Sequence, residues 1–386
     1  MTSPILGTTL EQARRDLTSV KWTAFTDDVL PVWVAEMDAS PCPAVVEAVS
    51  AAVRRGDTGY DMGRTFASAL AGFAADAWGW QIPEGSTMSV ADVMIGIEAL
   101  IRQVTDPQGA VVLSPPVYDS FYGFVTTTGR RLVEAPLSPE GRLDLSILDE
   151  AFATARGGGR SAAYLLCNPQ NPTGTVHTPK ELTALAALAA SHGVTVISDE
   201  IHAPLVYAGS AFTPYLTVPG GEDGFSVWSA SKAWNLAGFK AAQICAGAAA
   251  VPTLRRIHDV HTHGVGHVGA IAQAAALTDG RGWLARLLGE LDANRTLLRQ
   301  LLADRLPGIE VQIPAATYLA WLDCRALGLG ADPAKVFLDR GRVALSSGPN
   351  YGPTAGLGFA RFNFAASPAI IEQAVDRMVT AVERTG

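Results

Sequence analysis

Three polar side chains in the middle of the chain have the types and order to carry out amine chemistry. Asn171 lies in the turn "NPQNPTG", Asp199 follows the apolar run "VTVIS", and Lys232 lies in "SASK" after "FSVW". A lysine amine can condense with an aldehyde, and a buried carboxylate can hold a proton. Each motif alone is explained by a turn, a cap or a surface lysine. Together, each following an apolar run, they indicate the ligand-binding edge of an α/β sheet.

The sequence around these residues alternates short apolar runs with helix-length segments. Buried strands are predicted at residues 110–114, 162–167, 194–198, 225–229 and 241–247. Runs that are apolar on both faces and separated by helices indicate a mainly parallel sheet covered by helices. The clearest helix is "TPKELTALAALAASHG", where Thr178 and Glu181 have capping-box spacing, Pro179 occupies the first position and Gly193 ends the helix.

The pattern changes after about residue 285. A long helix is predicted around "WLARLLGELDANRTLLRQLLADRL", strands in "VQIPAATYLAWLDCRAL", and a last helix in "PAIIEQAVDRMVTAVERT". We therefore predict an α/β large domain at residues 46–284, and a smaller α+β domain made of residues 1–45 and 285–386.

Composition restricts the classes of partner. The 386 residues are 48% hydrophobic and 17% charged, with a formal net charge of −8. An acidic chain without a basic run lacks the charge distribution of a nucleic-acid-binding protein. No apolar run has the length of a membrane span, and the N-terminal sequence lacks the pattern of a signal peptide. We expect a soluble, cytoplasmic protein that acts on a small molecule.

The cysteines and histidines do not indicate a metal site. The four cysteines lie far apart and form no CxxC pair, so they suggest neither a disulfide framework nor a zinc module. Four histidines crowd residues 258–267, but no cysteine or carboxylate accompanies them in the usual zinc patterns. We predict that the protein uses no metal.

The order of the motifs resembles the fold-type I pyridoxal-phosphate enzymes, the aspartate-aminotransferase superfamily, over nearly the whole chain. The specific part of the likeness is "NPTG", then an aspartate, then "SxSK" followed by a basic residue. The resemblance implies pyridoxal 5′-phosphate as the cofactor and Lys232 as the lysine that binds it covalently and removes the substrate Cα proton. It also implies that Asp199 pairs with the protonated ring nitrogen.

The same resemblance assigns further cofactor contacts. Asn171 is expected to hydrogen-bond the ring 3-oxygen, Tyr118 to stack on the ring as a catalytic residue, and His202 to contact the cofactor. The remaining assignments concern the phosphate, which is expected to bind Ser229, Ser231, Lys240 and the backbone amides of Gly96, Ile97 and Glu98 at a helix N-terminus.

Substrate binding and assembly also follow from the resemblance. Arg361 in "FARFNFA" matches the arginine that binds the substrate α-carboxylate as a fork, and its surroundings alternate as in a strand. Asn171 and Ala35 are the other expected substrate contacts. Tyr60 matches a tyrosine that reaches the phosphate of the neighbouring subunit, which implies a homodimer with shared active sites.

Within the superfamily, the closer likeness is to the MalY/PatB-type cystathionine β-lyases. It rests on "LPVWVAEMD", "PPVYDSFY", "DEIHAPLVY" and "SASKAWNLAGFK", and on His202, where many aminotransferases have tyrosine. Glu36 departs from the aspartate that is frequent in this group. The resemblance implies β-elimination from L-cystathionine or a related L-cysteine S-conjugate, giving a thiol, pyruvate and ammonia.

Other functions remain open. An aminotransferase is the alternative, because both reactions use the same residues and diverge only after the Cα proton is removed. Other eliminations or racemisation are open as well, and a non-catalytic binding or regulatory protein on this scaffold is the last class. The intact pair of Lys232 and Asp199 argues against it.

Overall fold

The computed structural model describes residues 3–384. The chain divides into two compact units, the larger formed by Cys42–Gln170 and Val176–Trp283, the smaller by Met1–Pro41, Asn171–Thr175 and Leu284–Gly386. The sequence interpretation assigned residues 42–45, residues 171–175 and Leu284 to the opposite units. Within residues 3–384, no helix combines the length and hydropathy needed to cross a membrane.

Helices occur along the whole length of the chain. In chain order they are α1 (Leu10–Asp16), α2 (Val20–Thr23), α3 (Pro43–Arg54), α4 (Arg64–Trp78), α5 (Val93–Val104), α6 (Ser120–Thr127), α7 (Leu145–Arg156), α8 (Pro179–His192), α9 (Val251–Leu254), α10 (His267–Thr278), α11 (Arg281–Arg305), α12 (Pro333–Gly341) and α13 (Pro368–Glu383).

The strands alternate with these helices along most of the chain. They are β1 (Leu30–Pro31), β2 (Thr87–Val90), β3 (Ala110–Leu113), β4 (Arg131–Glu134), β5 (Ala162–Cys167), β6 (Val194–Asp199), β7 (Phe225–Trp228), β8 (Ala242–Ala246), β9 (Glu310–Val311), β10 (Leu319–Asp323), β11 (Val343–Ala344), β12 (Ser346–Ser347) and β13 (Phe359–Asn363).

The large unit is built on a seven-stranded sheet of order β2-β8-β7-β6-β5-β3-β4. The strands β4, β3, β5, β6 and β7 are parallel, whereas β8 is antiparallel to both β7 and β2. A parallel pairing of β7 with β8 would need a crossover helix. The connection at residues 229–241 contains only turns. Five of the seven strands are parallel, which confirms the predicted α/β fold with a mainly parallel sheet.

Both faces of the central strands are covered, as the continuous apolar runs indicated. In β5, Leu165 belongs to a buried cluster that includes residues of α5 and α6. The neighbouring Leu166 belongs to a second cluster that includes residues of α7 and α8. Successive side chains of β5 therefore enter different hydrophobic cores.

Helix α8 begins and ends where the sequence predicted. The Thr178 hydroxyl accepts a hydrogen bond from the Glu181 N–H at 3.2 Å, and the Glu181 carboxylate accepts one from the Thr178 N–H at 2.8 Å. Gly193 ends the helix with φ 64°, a left-handed conformation that glycine adopts without strain. These signals lie within the helix and its caps, so they could be recognised without tertiary information.

The small unit contains a four-stranded antiparallel sheet of order β12-β13-β10-β9 and a parallel pair, β1 with β11. The predicted long helix, strand-rich segment and last helix are confirmed as α11, β9 with β10, and α13. Arg361 lies in β13, where its strand neighbours are Trp321 and Ser346.

Candidate active site

Most of the predicted cofactor residues in the large unit follow strands that end at one edge of its sheet. The parallel strands β3, β5, β6 and β7 have their carboxyl ends at that edge. Because β2 and β7 are both antiparallel to β8, the carboxyl end of β2 reaches the same edge. The residues that lie at this edge are therefore Tyr118, Asp199, Ser229–Lys232, Lys240 and the start of α5.

Asp199 is a buried carboxylate at the end of β6, with 4% of its surface exposed. Its Oδ1 accepts a hydrogen bond from the Ile201 N–H at 3.1 Å. Burial raises the pKa of Asp199 to about 7, and the Ile201 hydrogen bond and the nearby Lys232 charge only partly oppose that effect. A carboxylate in this environment gains from a cation or a bound proton beside it.

Lys232 lies in the turn that joins β7 to β8. The Trp234 N–H donates to the Ala230 carbonyl at 3.0 Å, and the Leu236 N–H to the Ser231 carbonyl at 2.8 Å. Asp199 ends β6 and Lys232 follows the neighbouring parallel strand β7, and the positive charge of Lys232 lowers the pKa of Asp199. The structure therefore brings together an amine and a carboxylate predicted from separate motifs.

Ser229 stabilises this turn. It is buried, its hydroxyl donates to the Ala241 carbonyl at 3.0 Å, and it accepts from the Ser231 N–H at 3.2 Å. A hydroxyl has one hydrogen to donate. Binding a phosphate would thus require Ser229 to give up its bond to Ala241, and the phosphate assignments of Ser229 and Ser231 remain predictions.

The assignment of the Gly96, Ile97 and Glu98 amides to a phosphate is wrong. Helix α5 begins at Val93, and the Gly96 N–H donates to the Asp92 carbonyl at 3.1 Å. The amides of Ile97 and Glu98 lie further inside the helix, where N–H groups bond the carbonyl four residues earlier. A helix leaves only its first N–H groups without such acceptors.

Gly96 has a packing role instead. A Cβ atom at this position would lie 3.0 Å from Val90 Cγ2 and 3.1 Å from Val227 Cγ1. Glycine therefore lets α5 approach the sheet closely, which explains the residue without a ligand. Glu98 pairs with Arg102 at 2.8 Å, one turn along the same helix.

Tyr118 and His202 lie in the turns that follow β3 and β6. Tyr118 is half-buried, and its ring centroid lies 5.5 Å from that of Phe121 in an edge-to-face arrangement. His202 is buried three residues after Asp199. Both are near the expected part of the sheet edge, and their cofactor contacts remain predictions.

Tyr60 is 95% exposed, in the segment between α3 and α4. His267 supports this segment through hydrogen bonds with Asp57 at 3.0 Å and Asp61 at 3.2 Å. The two aspartates raise the pKa of His267, so its charged form is favoured. His267 thus pairs with carboxylates through both ring nitrogens and has a structural explanation.

Arg361 is a buried cation in the small unit, 4% exposed. Its guanidinium donates to Asn171 Oδ1 at 3.0 Å, the Trp33 carbonyl at 2.9 Å and Ser346 Oγ at 3.2 Å, and it lies 4.9 Å from the centre of the Tyr351 ring. These acceptors are neutral, and within residues 3–384 Arg361 Nε has no hydrogen-bond partner. A buried charge without a counter-ion favours binding of an anion.

Gly174 shapes the turn that contains Asn171. Its φ of +69° and a clash of any Cβ with Pro314 and the Ala316 carbonyl require glycine at this position. The Gly174 carbonyl accepts from the N–H groups of Ala315 and Ala316 at 3.1 and 3.0 Å. These contacts explain why residues 171–175 belong to the small unit, with Arg361.

The "Aminotransferase class I and II" family profile matches residues 35–378 of this sequence. The chain belongs to this family. A relative from Mycobacterium leprae called "Putative cystathionine beta-lyase" is 50% identical over 99% of each chain. The "Cystathionine beta-lyase" of Corynebacterium glutamicum is 33% identical, covering 94% of this chain and 96% of that protein.

A solved structure has the same fold. It is a "putative plp-dependent beta-cystathionase" from Corynebacterium diphtheriae, with a TM-score of 0.90 and 33% identity. The match covers 98% of this chain and 99% of that one. The resemblance read from the motifs is therefore confirmed.

The hydrogen bonds that hold residues 33–36 were not predicted from the sequence. The carbonyls of Trp33–Glu36 all accept hydrogen bonds from side chains. The donors are Arg361 to Trp33 at 2.9 Å, Asn363 to Val34 and Glu36 at 2.6 Å each, and the Tyr318 hydroxyl to Ala35 at 2.9 Å. The segment containing Ala35 is therefore held through its backbone carbonyls.

A buried ion pair, Lys21 with Asp38, also contacts this segment. Lys21 and Asp38 are each 1% exposed and lie 2.9 Å apart, and the Trp22 indole donates to Asp38 at 3.0 Å. Lys21 also reaches the Glu36 carbonyl at 3.4 Å. The adjacent Lys21 and Trp22 carry no local sequence signal for this pairing, because their partner is a carboxylate from another segment.

Proposed function

We propose that this protein is a pyridoxal 5′-phosphate-dependent carbon–sulfur β-lyase. Its proposed substrate is L-cystathionine or a related L-cysteine S-conjugate, and its products are a thiol, pyruvate and ammonia. The observation that carries the proposal is the buried carboxylate of Asp199 at the end of β6, with Lys232 following the neighbouring parallel strand β7 at the same sheet edge. The cystathionine β-lyase names of relatives with 50% and 33% identity support the choice of reaction.

The donor set fits the cofactor. Asp199 offers a buried carboxylate for a protonated ring nitrogen, and Lys232 offers an amine for the aldehyde. The first amides of α5, Val93 and Met94, together with Lys240, offer donors for a phosphate at the same edge. When bound, pyridoxal 5′-phosphate supplies an electron sink for negative charge at the substrate Cα.

The protein residues have separate tasks in the proposed reaction. Arg361 binds the α-carboxylate through its buried guanidinium, and Asn171 orients that guanidinium through its 3.0 Å hydrogen bond. Lys232 takes the Cα proton on its ε-amine. Asp199 keeps a proton at the ring nitrogen because a buried carboxylate is stabilised by a positive partner.

The bond changes balance without an external oxidant. The Cα–H and Cβ–S bonds break, and sulfur leaves with the bonding electron pair as a thiolate. Water then hydrolyses the three-carbon fragment to pyruvate and ammonia. A thiolate is a good leaving group because thiols have pKa values near 8.5.

Repeated turnover of L-cystathionine without a keto acid is the expected result for the purified holoenzyme. Pyruvate, ammonia and thiol should accumulate in equal amounts far beyond one equivalent per active site. Pyruvate can be followed with lactate dehydrogenase and thiol with a chromogenic disulfide. The reason is that elimination returns the enzyme to its starting state after each cycle.

An aminotransferase would behave differently in the same assay. It would stop after one amino group per site and resume when 2-oxoglutarate is added. That result with every thioether tested would overturn the lyase proposal and support the alternative.

Arg361→Lys should lower kcat/KM for cystathionine about 100-fold, mainly through KM. The substitution keeps the charge but loses the two-pronged contact, and one charge-assisted hydrogen bond contributes about 1.5–3 kcal/mol. Steady-state kinetics measure the effect. Arg325→Lys is the matched control, because Arg325 is an exposed arginine of the same unit that pairs with Asp323. An unchanged KM in Arg361→Lys would remove Arg361 from the carboxylate site.

The proposed enzyme is a cytoplasmic homodimer in which Tyr60 of one subunit reaches the cofactor phosphate of the other. The 95% exposure of Tyr60 within a supported segment is compatible with this role. Family membership supports an amino-acid substrate.

A further inference from the structure

Asp92 places a negative charge at the start of α5. Its Oδ1 caps the helix by accepting from the Ile95 N–H at 2.9 Å. Its Oδ2 lies 3.1 Å from Lys240 Nζ. One carboxylate thus binds both an N-terminal amide of the helix and the lysine beside it.

These two partners are the kinds of donor that a phosphate needs at this edge. A helix N-terminus attracts anions through its first N–H groups and its dipole, and a lysine adds positive charge. A phosphate held by the α5 N-terminus and Lys240 would therefore be close to the Asp92 carboxylate. The carboxylate would repel it and compete for Lys240.

We propose that Asp92 sets the affinity of the protein for its cofactor by opposing the binding of the phosphate group. The inference rests on the proposed function, because it requires a phosphate-bearing cofactor at this site. Asp92 keeps the cofactor exchangeable, whereas Lys240, divided between the carboxylate and the phosphate, contributes only part of its charge to binding. Asp92 is thus a determinant of affinity that also caps the helix.

The capping and charge effects of Asp92 can be separated. Asparagine is as good an N-cap as aspartate, so Asp92→Asn keeps the Ile95 hydrogen bond and removes the charge. The Lys240 amine is then free to contact the phosphate. Both consequences strengthen phosphate binding.

The test compares the affinities of wild type and Asp92→Asn for pyridoxal 5′-phosphate and for pyridoxal, which lacks the phosphate. Equilibrium dialysis of the full-length protein, after its cofactor has been removed, gives both dissociation constants. Asp92→Asn should bind pyridoxal 5′-phosphate about tenfold more tightly, the change expected from losing one like-charge interaction near a surface. Its affinity for pyridoxal should be unchanged, and the tenfold difference should shrink in high salt because exposed charges are screened.

Asp144→Asn is the matched control. Asp144 caps α7 in the same way, accepting from the Ser146 and Ile147 N–H groups, and this variant should bind like wild type. An unchanged or weaker affinity of Asp92→Asn for pyridoxal 5′-phosphate would overturn the inference. Equal tightening for pyridoxal would also overturn it, because the effect would not depend on the phosphate.

Failure of the cofactor assignment on which the proposed function depends would give a different result. Wild-type protein would then bind neither compound, and borohydride would attach no cofactor mass to Lys232. If wild type binds the cofactor and Asp92→Asn shows no tightening, the inference alone fails.

Discussion

Lys232→Ala is expected to lose at least about 1,000-fold in kcat for thioether cleavage. A positioned general base contributes about 10²–10⁴-fold to a rate, and the covalent role of the amine adds to this. Pyruvate release measures the loss. In wild type, borohydride reduction should fix the cofactor mass on the peptide that contains Lys232, and the variant should lack that label.

Lys180→Ala is the matched control for Lys232→Ala. Lys180 is an exposed lysine of α8, so its removal should leave both turnover and labelling unchanged. Cofactor mass on another lysine in the wild-type protein would disprove the assignment of Lys232, even if the Lys232→Ala variant were inactive.

Asp199→Asn is expected to lower kcat by about 100-fold or more while the protein remains folded. A neutral amide cannot stabilise a proton at the ring nitrogen, and removal of one preorganised electrostatic group from an active site lowers kcat by about 10²–10³-fold. Steady-state kinetics at saturating cofactor measure the loss. Turnover near that of wild type would mean that another group supports the ring nitrogen.

The pH dependence of stability gives Asp199→Asn an independent signature. In the cofactor-free protein the pKa of Asp199 is raised to about 7, above its ordinary value of 3.8. Between these values the unfolded state has lost a proton that the folded state keeps, so stability falls as pH rises through this range. Without cofactor, Asp199→Asn should therefore gain in Tm relative to wild type at pH 8 and show no such gain below pH 4. Thermal unfolding at both pH values measures the difference.

The parts of the fold that sequence could predict are those whose signals are local. Thr178, Glu181 and Gly193 define α8 within its own residues and caps, and the apolar run of β5 reports burial on both faces. The direction of β8 needed knowledge of its connection to β7. The edge strand β2 was missed because three of its four residues are only half-buried.

Candidate site residues could be predicted where a single motif contains them. Contacts that several segments form together were harder to predict. Lys232 and Asp199 were predicted from motifs, and the structure places them at the ends of neighbouring parallel strands. The start of α5 was misplaced because the "GIE" motif was matched without its helix register, although Asp92 before an apolar run is itself an N-cap signal. The Lys21–Asp38 pair is formed by tertiary packing, which no local pattern reports.

The strand pairings also determine when each unit can be completed during synthesis on the ribosome. In β1, Leu30 pairs with Val343, so the N-terminal part of the small unit emerges long before its partner strand exists. In the large unit, Thr87 of β2 pairs with Cys245 of β8. The partner of β2 is therefore synthesised after all the other strands of this sheet. Contacts this distant in sequence form slowly, and strand edges without partners are prone to aggregation. We therefore expect β1 to remain without its partner strand until the last third of the chain has been made.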